Sequence, residues 1–386
     1  MATQAMKHWF EYFPDNFVWS QQMMSMIDMA VWGAAAMGEI DRVGQRLRGR
    51  EGDNEAWFNE WCAMAEDMER KATAARAANH QLTAGTYYLH AGVYFLYAER
   101  FTPPSDKKFD TYRRSMNCFV EGYRRRYPNI ERADVPYQGT TLPAYFMKAP
   151  GVSGKAPTVV LFDGLDLCKE MGVLWAGVEL AKRGISTLAI DGPGQGEALR
   201  LGKIPARYDY EVPGTAAYNH VVGRPDVDPA RVAIMAFSLG GYYAPRIAAF
   251  EKRYAACIAW GAHFDYHAIW VKRRKEMEAG GKKVSSAKFQ LPWVVGAPDM
   301  DAAMEKLKKW TLAGVAEKIE CPTLIVHGLH DTLVPAEVAR QLYDAVGAKN
   351  KLLKIFTPED GGSEHCHGDN RMVGVNYIAD WVMDNL

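Results

Sequence analysis

Two hydrophobic periods divide the chain. Up to about residue 127, apolar residues recur at helical spacing. Trp57, Trp61, Met64 and Met68 fall at i, i+4, i+7 and i+11 behind Asp53-Asn54, which can supply an N-cap, so one apolar stripe runs along a helix. Tyr112, Met116, Phe119 and Tyr123 repeat that spacing, and the aromatic segment from Tyr87 to Tyr97 lies between the two stripes. Thr102-Pro103-Pro104-Ser105 marks a break before the second stripe. The segment holding Trp9, Phe10, Phe13, Trp19, Met23, Met26 and Met29 reads as packed core or a dimer surface in preference to a substrate wall.

After Arg124-Arg125-Arg126 the period changes. Ala133 to Met147 reads as a hairpin around Gln138-Gly139-Thr140, followed by short β-rich runs that alternate with helical stretches. The runs are Thr158 to Phe162, Ser186 to Ile190, Val232 to Ala236, Ala256 to Trp260, Thr323 to His327 and Leu352 to Phe356. Apolar strands separated by helices predict an α/β domain with a mostly parallel sheet buried on both faces and helices as crossovers. The expected organisation is a helical N-terminal domain over 1–127 and an α/β domain over 128–386. The interval 262–320 is too long for a plain crossover and is expected to be an inserted lid. Its run Lys272-Arg273-Arg274-Lys275 can attract an acidic substrate, although a solvated helix face is the simpler reading.

Composition narrows the function classes. The 386 residues are 48% apolar and 24% charged, enough for a sizeable core. Lys plus Arg and Asp plus Glu both number 46, so no global field draws in nucleic acid or an anionic membrane, and neither is an expected partner. The most apolar early stretch, Met23 to Met37, contains Asp28 and is shorter than the ~20 residues of a membrane span. The opening residues lack a secretory pattern. Six cysteines with no CxxC pair suit reduced thiols, so a cytoplasmic protein without a metal or cofactor is expected.

The chemistry concentrates at Val232-Ala233-Ile234-Met235-Ala236-Phe237-Ser238-Leu239-Gly240-Gly241: an apolar strand, a serine between small residues, then a helix. A sharp strand-to-helix turn exposes a serine hydroxyl to a base, and it needs small residues two before and two after the serine. Ala236 and Gly240 meet that need, Ala236 departing by one methyl from the usual glycine. An acid and then a histidine should follow, each on a loop after a strand. Asp331 follows the run ending at His327, and the loop Glu359 to Gly368 carries His365, the preferred base, and His367, its competitor. Donors for an oxyanion are expected from the backbone N–H groups of Leu239 and Leu165, with Gly164 letting the chain turn close. Acidic residues in the same loop could move a proton if buried. Asp191-Gly192-Pro193-Gly194-Gln195-Gly196-Glu197 lacks the Lys-Ser/Thr of a phosphate loop and is expected to be a structural turn. His327, His330 and Asp331 could be drawn as a metal cluster, but Asp331 already has a role. His263 and Tyr266, which follow the strand ending at Trp260, are candidates for the pocket wall.

In these motifs and their order the sequence resembles the α/β-hydrolase superfamily over residues ~130–386. The helical N-terminal region, Gly164-Leu165-Asp166 followed by Lys169-Glu170, and the His365-Cys366 pair are similar to a narrower group. That group holds 2,6-dihydroxypseudooxynicotine hydrolase, the fermentation-respiration switch proteins and fungal polyketide-shortening hydrolases. The resemblance implies Ser238 as nucleophile, Asp331 and His365 as its partners, Glu170 as an acid near the substrate, and Gly164 and Asp166 in the substrate loop. It also implies a homodimer acting on a small molecule, with the site between the helical and α/β regions and a carbon–carbon bond beside a ketone as the target. The plainer reading of Glu170 is a first-turn residue favoured by the helix dipole. An esterase, thioesterase or amidase using the same three residues stays open, as does a regulatory protein with a vestigial pocket.

Overall fold

Side-chain caps start the N-terminal helices where turn chemistry favours them. The computed structural model describes residues 10–279 and 288–386, so Trp9 and the opening stretch read for export lie outside the described residues. Helix α1 (Phe17–Asp28) begins behind Asn16, whose side chain accepts the Trp19 N–H at 3.0 Å. After α2 (Met37–Leu47), Asp53 caps α3 (Asn54–Ala77) by accepting the Ala56 N–H at 2.9 Å. Helix α4 spans Gln81–Ala98, and Ser105 caps α5 (Asp106–Arg126) behind the proline break. Trp57, Trp61, Met64 and Met68 are all buried along one face of α3. Truncating Trp57 to Ala there would cost about 3–5 kcal/mol. Phe13, Trp19, Met23, Met26 and Met29 are buried in the same core.

Eight strands form one sheet: β1 (Ile130–Tyr137), β2 (Thr140–Met147), β3 (Ala156–Phe162), β4 (Ser186–Ile190), β5 (Val227–Leu239), β6 (Ala256–Ala262), β7 (Thr323–Gly328) and β8 (Lys351–Phe356). Their spatial order is β1-β2-β4-β3-β5-β6-β7-β8. The β1–β2 hairpin pairs antiparallel to itself and to β4, and every later pairing is parallel. Strand alternation divides the core in two. Val159, Leu161, Met235, Phe237, Ile258 and Trp260 pack with the N-terminal helices and the helices at 169–182 and 371–385. Val160, Phe162, Ile234, Ala236 and Ala259 pack with the helices Glu211–Val222 and Gly240–Phe250. Among the described residues, no helix is long and apolar enough to cross a membrane.

Buried charges pin the helical region to the sheet loops. Arg200 lies 2.8 Å from Glu99 at the end of α4 and 3.3 Å from Asp166 in the loop after β3, while Arg100 meets Asp166 at 2.7 Å. Lys108 of α5 also contacts Glu99, and burial pulls the lysine pKa down to about 8 against that carboxylate. Each charge in this network has an opposite partner, the condition under which buried ions persist.

Candidate active site

Ser238 sits at the end of β5, immediately before the helix Gly240–Phe250, with φ at +55°. A non-glycine residue held in the left-handed region is strained, and the tight turn imposes that strain here. Gly240 makes the turn possible: a Cβ there would stand 2.5 Å from the Ala236 Cβ, too close for real atoms. The methyl at Ala236 is therefore accommodated because residue 240 has none.

The His365 loop meets this turn from the far end of β8. Nε2 of His365 is 2.7 Å from Ser238 Oγ, and its Nδ1 donates to Asp331 Oδ2 at 2.7 Å. Cys366 and His367 both adopt positive φ, +49° and +57°, and this kink separates the two histidines. His367 is fully buried, and its Nδ1 accepts the indole N–H of Trp260. Burial drives the His367 pKa well below the ordinary value. The structure thus brings His365, and not His367, to Ser238.

Asp331 is held by its own turn: Oδ1 accepts the N–H groups of Leu333 and Val334, both at 2.8 Å. His327, read from sequence only as a possible metal ligand, braces the other oxygen. Its Nδ1 accepts the Ala262 N–H at 3.1 Å, so Nε2 carries the proton, 2.8 Å from the Val334 carbonyl and 3.3 Å from Asp331 Oδ2. Among the described residues, no cluster of His, Cys, Asp or Glu has the geometry to hold a metal. Burial opposes ionisation of Asp331, yet the His365 ring holds its carboxyl well below the usual range. Burial likewise disfavours charge on His365, and Asp331 outweighs it, pushing the imidazole up to about 10.

The loop after β3 closes over the serine. A Cβ on Gly164 would lie 2.8 Å from the Ser238 Cβ and 3.3 Å from its Oγ, so only glycine permits this approach. Gln195, in the glycine-rich turn after β4, braces the loop: its Nε2 donates to the Asp163 carbonyl and its Oε1 accepts the Gly192 N–H at 2.9 Å. That turn is a structural clamp, as its sequence suggested. Leu165 lines a cavity of about 140 Å³ that also takes in Ser238, His365, His263 and Tyr266. Leu239 is buried at the start of the following helix. Burial, reinforced by charge on His365, pulls His263 down to about 3, and its Nδ1–H reaches the Gly261 carbonyl at 3.1 Å.

Two acidic residues lie elsewhere than expected. Asp166 does not line the cavity, because Arg100, Arg200 and the Gln290 amide clasp its carboxylate. Glu170 is also absent from the cavity wall and is 1% exposed. Lys169 anchors that helical turn to the next loop, its Nζ 2.9 Å from Glu170, 3.0 Å from Asp191 and 3.0 Å from Glu197. The Glu170 side chain is thereby buried near Tyr112, Tyr123 and Tyr145, whose hydroxyl pKa values are raised by burial and further by its charge.

The remaining walls come from residues the sequence reading did not select for the site. Phe17, Gln21, Met24 and Ser25 of α1 enclose the cavity, with Tyr97 near the end of α4 and Arg100 in the turn Glu99–Phe101 that follows it. Trp175 adds a further wall from a π-helical turn, Val173–Gly177. The sequence of α1 offered no clear signal, since Ser20, Gln22 and Asp28 are polar as well as Gln21 and Ser25.

Known proteins share this arrangement of regions. A family described as "Esterase FrsA-like" matches residues 8–351. The 2,6-dihydropseudooxynicotine hydrolase of Paenarthrobacter nicotinovorans is 29% identical over 364 residues, covering 93% of this chain and 92% of its own length. Hydrolase LUC6 of a Fusarium species is 28% identical, covering 91% and 92%. A crystal structure of 2,6-dihydroxy-pseudo-oxynicotine hydrolase superposes with a TM-score of 0.78 and 25% identity, covering 93% of this chain and 95% of the other. The fold is that of an α/β hydrolase, and by the family match over most of its length the chain belongs to the FrsA-like esterase family.

Proposed function

We propose that this hydrolase uses Ser238 to cleave a carbon–carbon bond beside a ketone in an aromatic or polyketide-like substrate. The carrying observation is the 2.7 Å contact between Ser238 Oγ and His365 Nε2, with Asp331 2.7 Å behind the same ring. The full-length similarity to a hydrolase named for 2,6-dihydropseudooxynicotine supports the substrate class.

In this reading His365 takes the Ser238 proton as Oγ bonds to the carbonyl carbon, and the oxyanion rests on the N–H groups of Leu239 and Leu165. The carbon–carbon bond then breaks, its electron pair leaving with the carbon that an adjoining ring or carbonyl stabilises. The His365 imidazolium protonates that carbon. A water, losing its proton to His365, attacks the acyl-enzyme and releases the acid and Ser238.

Ester cleavage by the same three residues is the second reading. It is favoured by the description of the family that matches residues 8–351 as an esterase; with Glu170 buried away from the cavity, His365 is the acid in both readings. Turnover of aryl 1,3-diketones and acyl-phenols against activated esters, with products identified by mass, separates the two. Preferential ketone cleavage supports the first reading, and turnover of esters alone removes it.

A further inference from the structure

Three guanidinium groups line the cavity that holds Ser238: Arg100, Arg273 and Arg371. Two are neutralised. Arg100 meets Asp166 at 2.7 Å, and Arg371 meets Asp28 at 2.7 Å while donating to the Cys366 carbonyl at 3.1 Å. Arg273 differs. Its hydrogen bond runs to the Leu333 carbonyl at 3.2 Å, its guanidinium stands over the Trp270 ring at 5.2 Å, and among the described residues it forms no ion pair with a carboxylate. Its neighbour Arg274, by contrast, pairs with Glu278 and Asp301 and takes no part in the cavity wall. The basic run of the helix Tyr266–Glu278 is therefore split: Arg274 is neutralised outside the cavity, and Arg273 brings into it a cation that forms no ion pair among the described residues.

A partly desolvated cation without a counter-charge is costly unless an anion completes it. The rest of the wall gives Arg273 no ion-paired partner: His263 is held neutral, Tyr266 beside Arg273 is buried with its hydroxyl pKa raised, and Glu364, the carboxylate on this wall, forms no ion pair with Arg273 among the described residues. A guanidinium fork fits a planar ionised oxygen better than a point charge would. We propose that Arg273 is a specificity-determining residue that binds an ionised oxygen on an aromatic substrate, a carboxylate or a phenolate. The inference builds on the hydrolase reading in taking this cavity as the substrate site, yet anion binding can be measured without turnover.

The test is calorimetric binding of benzoate, 4-nitrophenolate and benzamide to the full chain and to the variants Arg273→Met and Arg274→Met. The expected result is a preference of about 10-fold or more for one or both anions over benzamide. That preference should collapse in Arg273→Met and persist in Arg274→Met. The anion that carries the preference distinguishes carboxylate from phenolate. Arg273→Gln, which keeps polar reach without charge, gives the same reading if Arg273→Met does not fold. Equal binding of anions and benzamide by the unmodified protein, or equal loss in the two helix variants, overturns the proposal. Labelling of Ser238 by a fluorophosphonate in the same preparations reports on the hydrolase reading separately, so either idea can fail alone.

Discussion

His365 and His367 stand two residues apart and end in different surroundings: His365 reaches Ser238 at 2.7 Å, whereas His367 accepts the Trp260 indole N–H inside the core. The left-handed pair Cys366-His367 turns the backbone between them. Replacing each should therefore give different phenotypes. His365→Ala should lower kcat on an activated ester by about 10⁴-fold or more with little change in melting temperature. His367→Ala should leave a buried void and an unpaired indole N–H, costing about 2–4 kcal/mol of stability. Steady-state kinetics and urea unfolding of both variants check this, and equal loss of kcat in the two would contradict it.

The Asp331–His365 pair sets the pH dependence. A general base works unprotonated, so the rate rises with pH through the His365 pKa, and Asp331 has raised that pKa above the ordinary 6.5. The acid limb of kcat/KM should accordingly lie above 6.5 in the wild type. In Asp331→Asn the limb should move to lower pH while the plateau falls by about 10⁴-fold. A wild-type plateau already reached below the ordinary histidine value would refute the coupling.

Asp166 carries structural weight between Arg100 and Arg200. Asp166→Ala leaves half-buried Arg100 without its carboxylate and buried Arg200 with Glu99 alone, and should cost about 3 kcal/mol, read as a lower urea midpoint. The loop it anchors also bears Leu165, so kcat should fall with it. Unchanged stability in this variant would show that the clasp contributes nothing.

Glu170 is buried beside Lys169 and away from the cavity, so it is a poor candidate to protonate a leaving group. Glu170→Gln should slow ketone and ester turnover by the same factor, with any loss tracking reduced stability. A selective loss of carbon–carbon cleavage would return the acid role to Glu170.

The sheet was legible because parallel strands buried on both faces leave uninterrupted apolar runs, and each expected run lies within an observed strand, from β3 to β8. Ser238, Asp331 and His365 could be read in order because each follows such a strand. Asp166 and Glu170 could not be placed, since their partners are remote or conformational: Asp166 is held by Arg100 and Arg200, 66 and 34 residues away. The α1 wall escaped for a related reason. A helix whose apolar face enters the core and whose Gln21 and Ser25 edge borders a cavity reads from sequence as an ordinary amphipathic helix.

Whether Ser238 becomes covalently acylated decides the mechanism. Intact-mass and peptide mass spectrometry after fluorophosphonate treatment should show a single adduct on Ser238 in the wild type and none in Ser238→Ala. A folded wild-type protein that forms no adduct, or one labelled at another residue, would contradict nucleophilic catalysis by this serine.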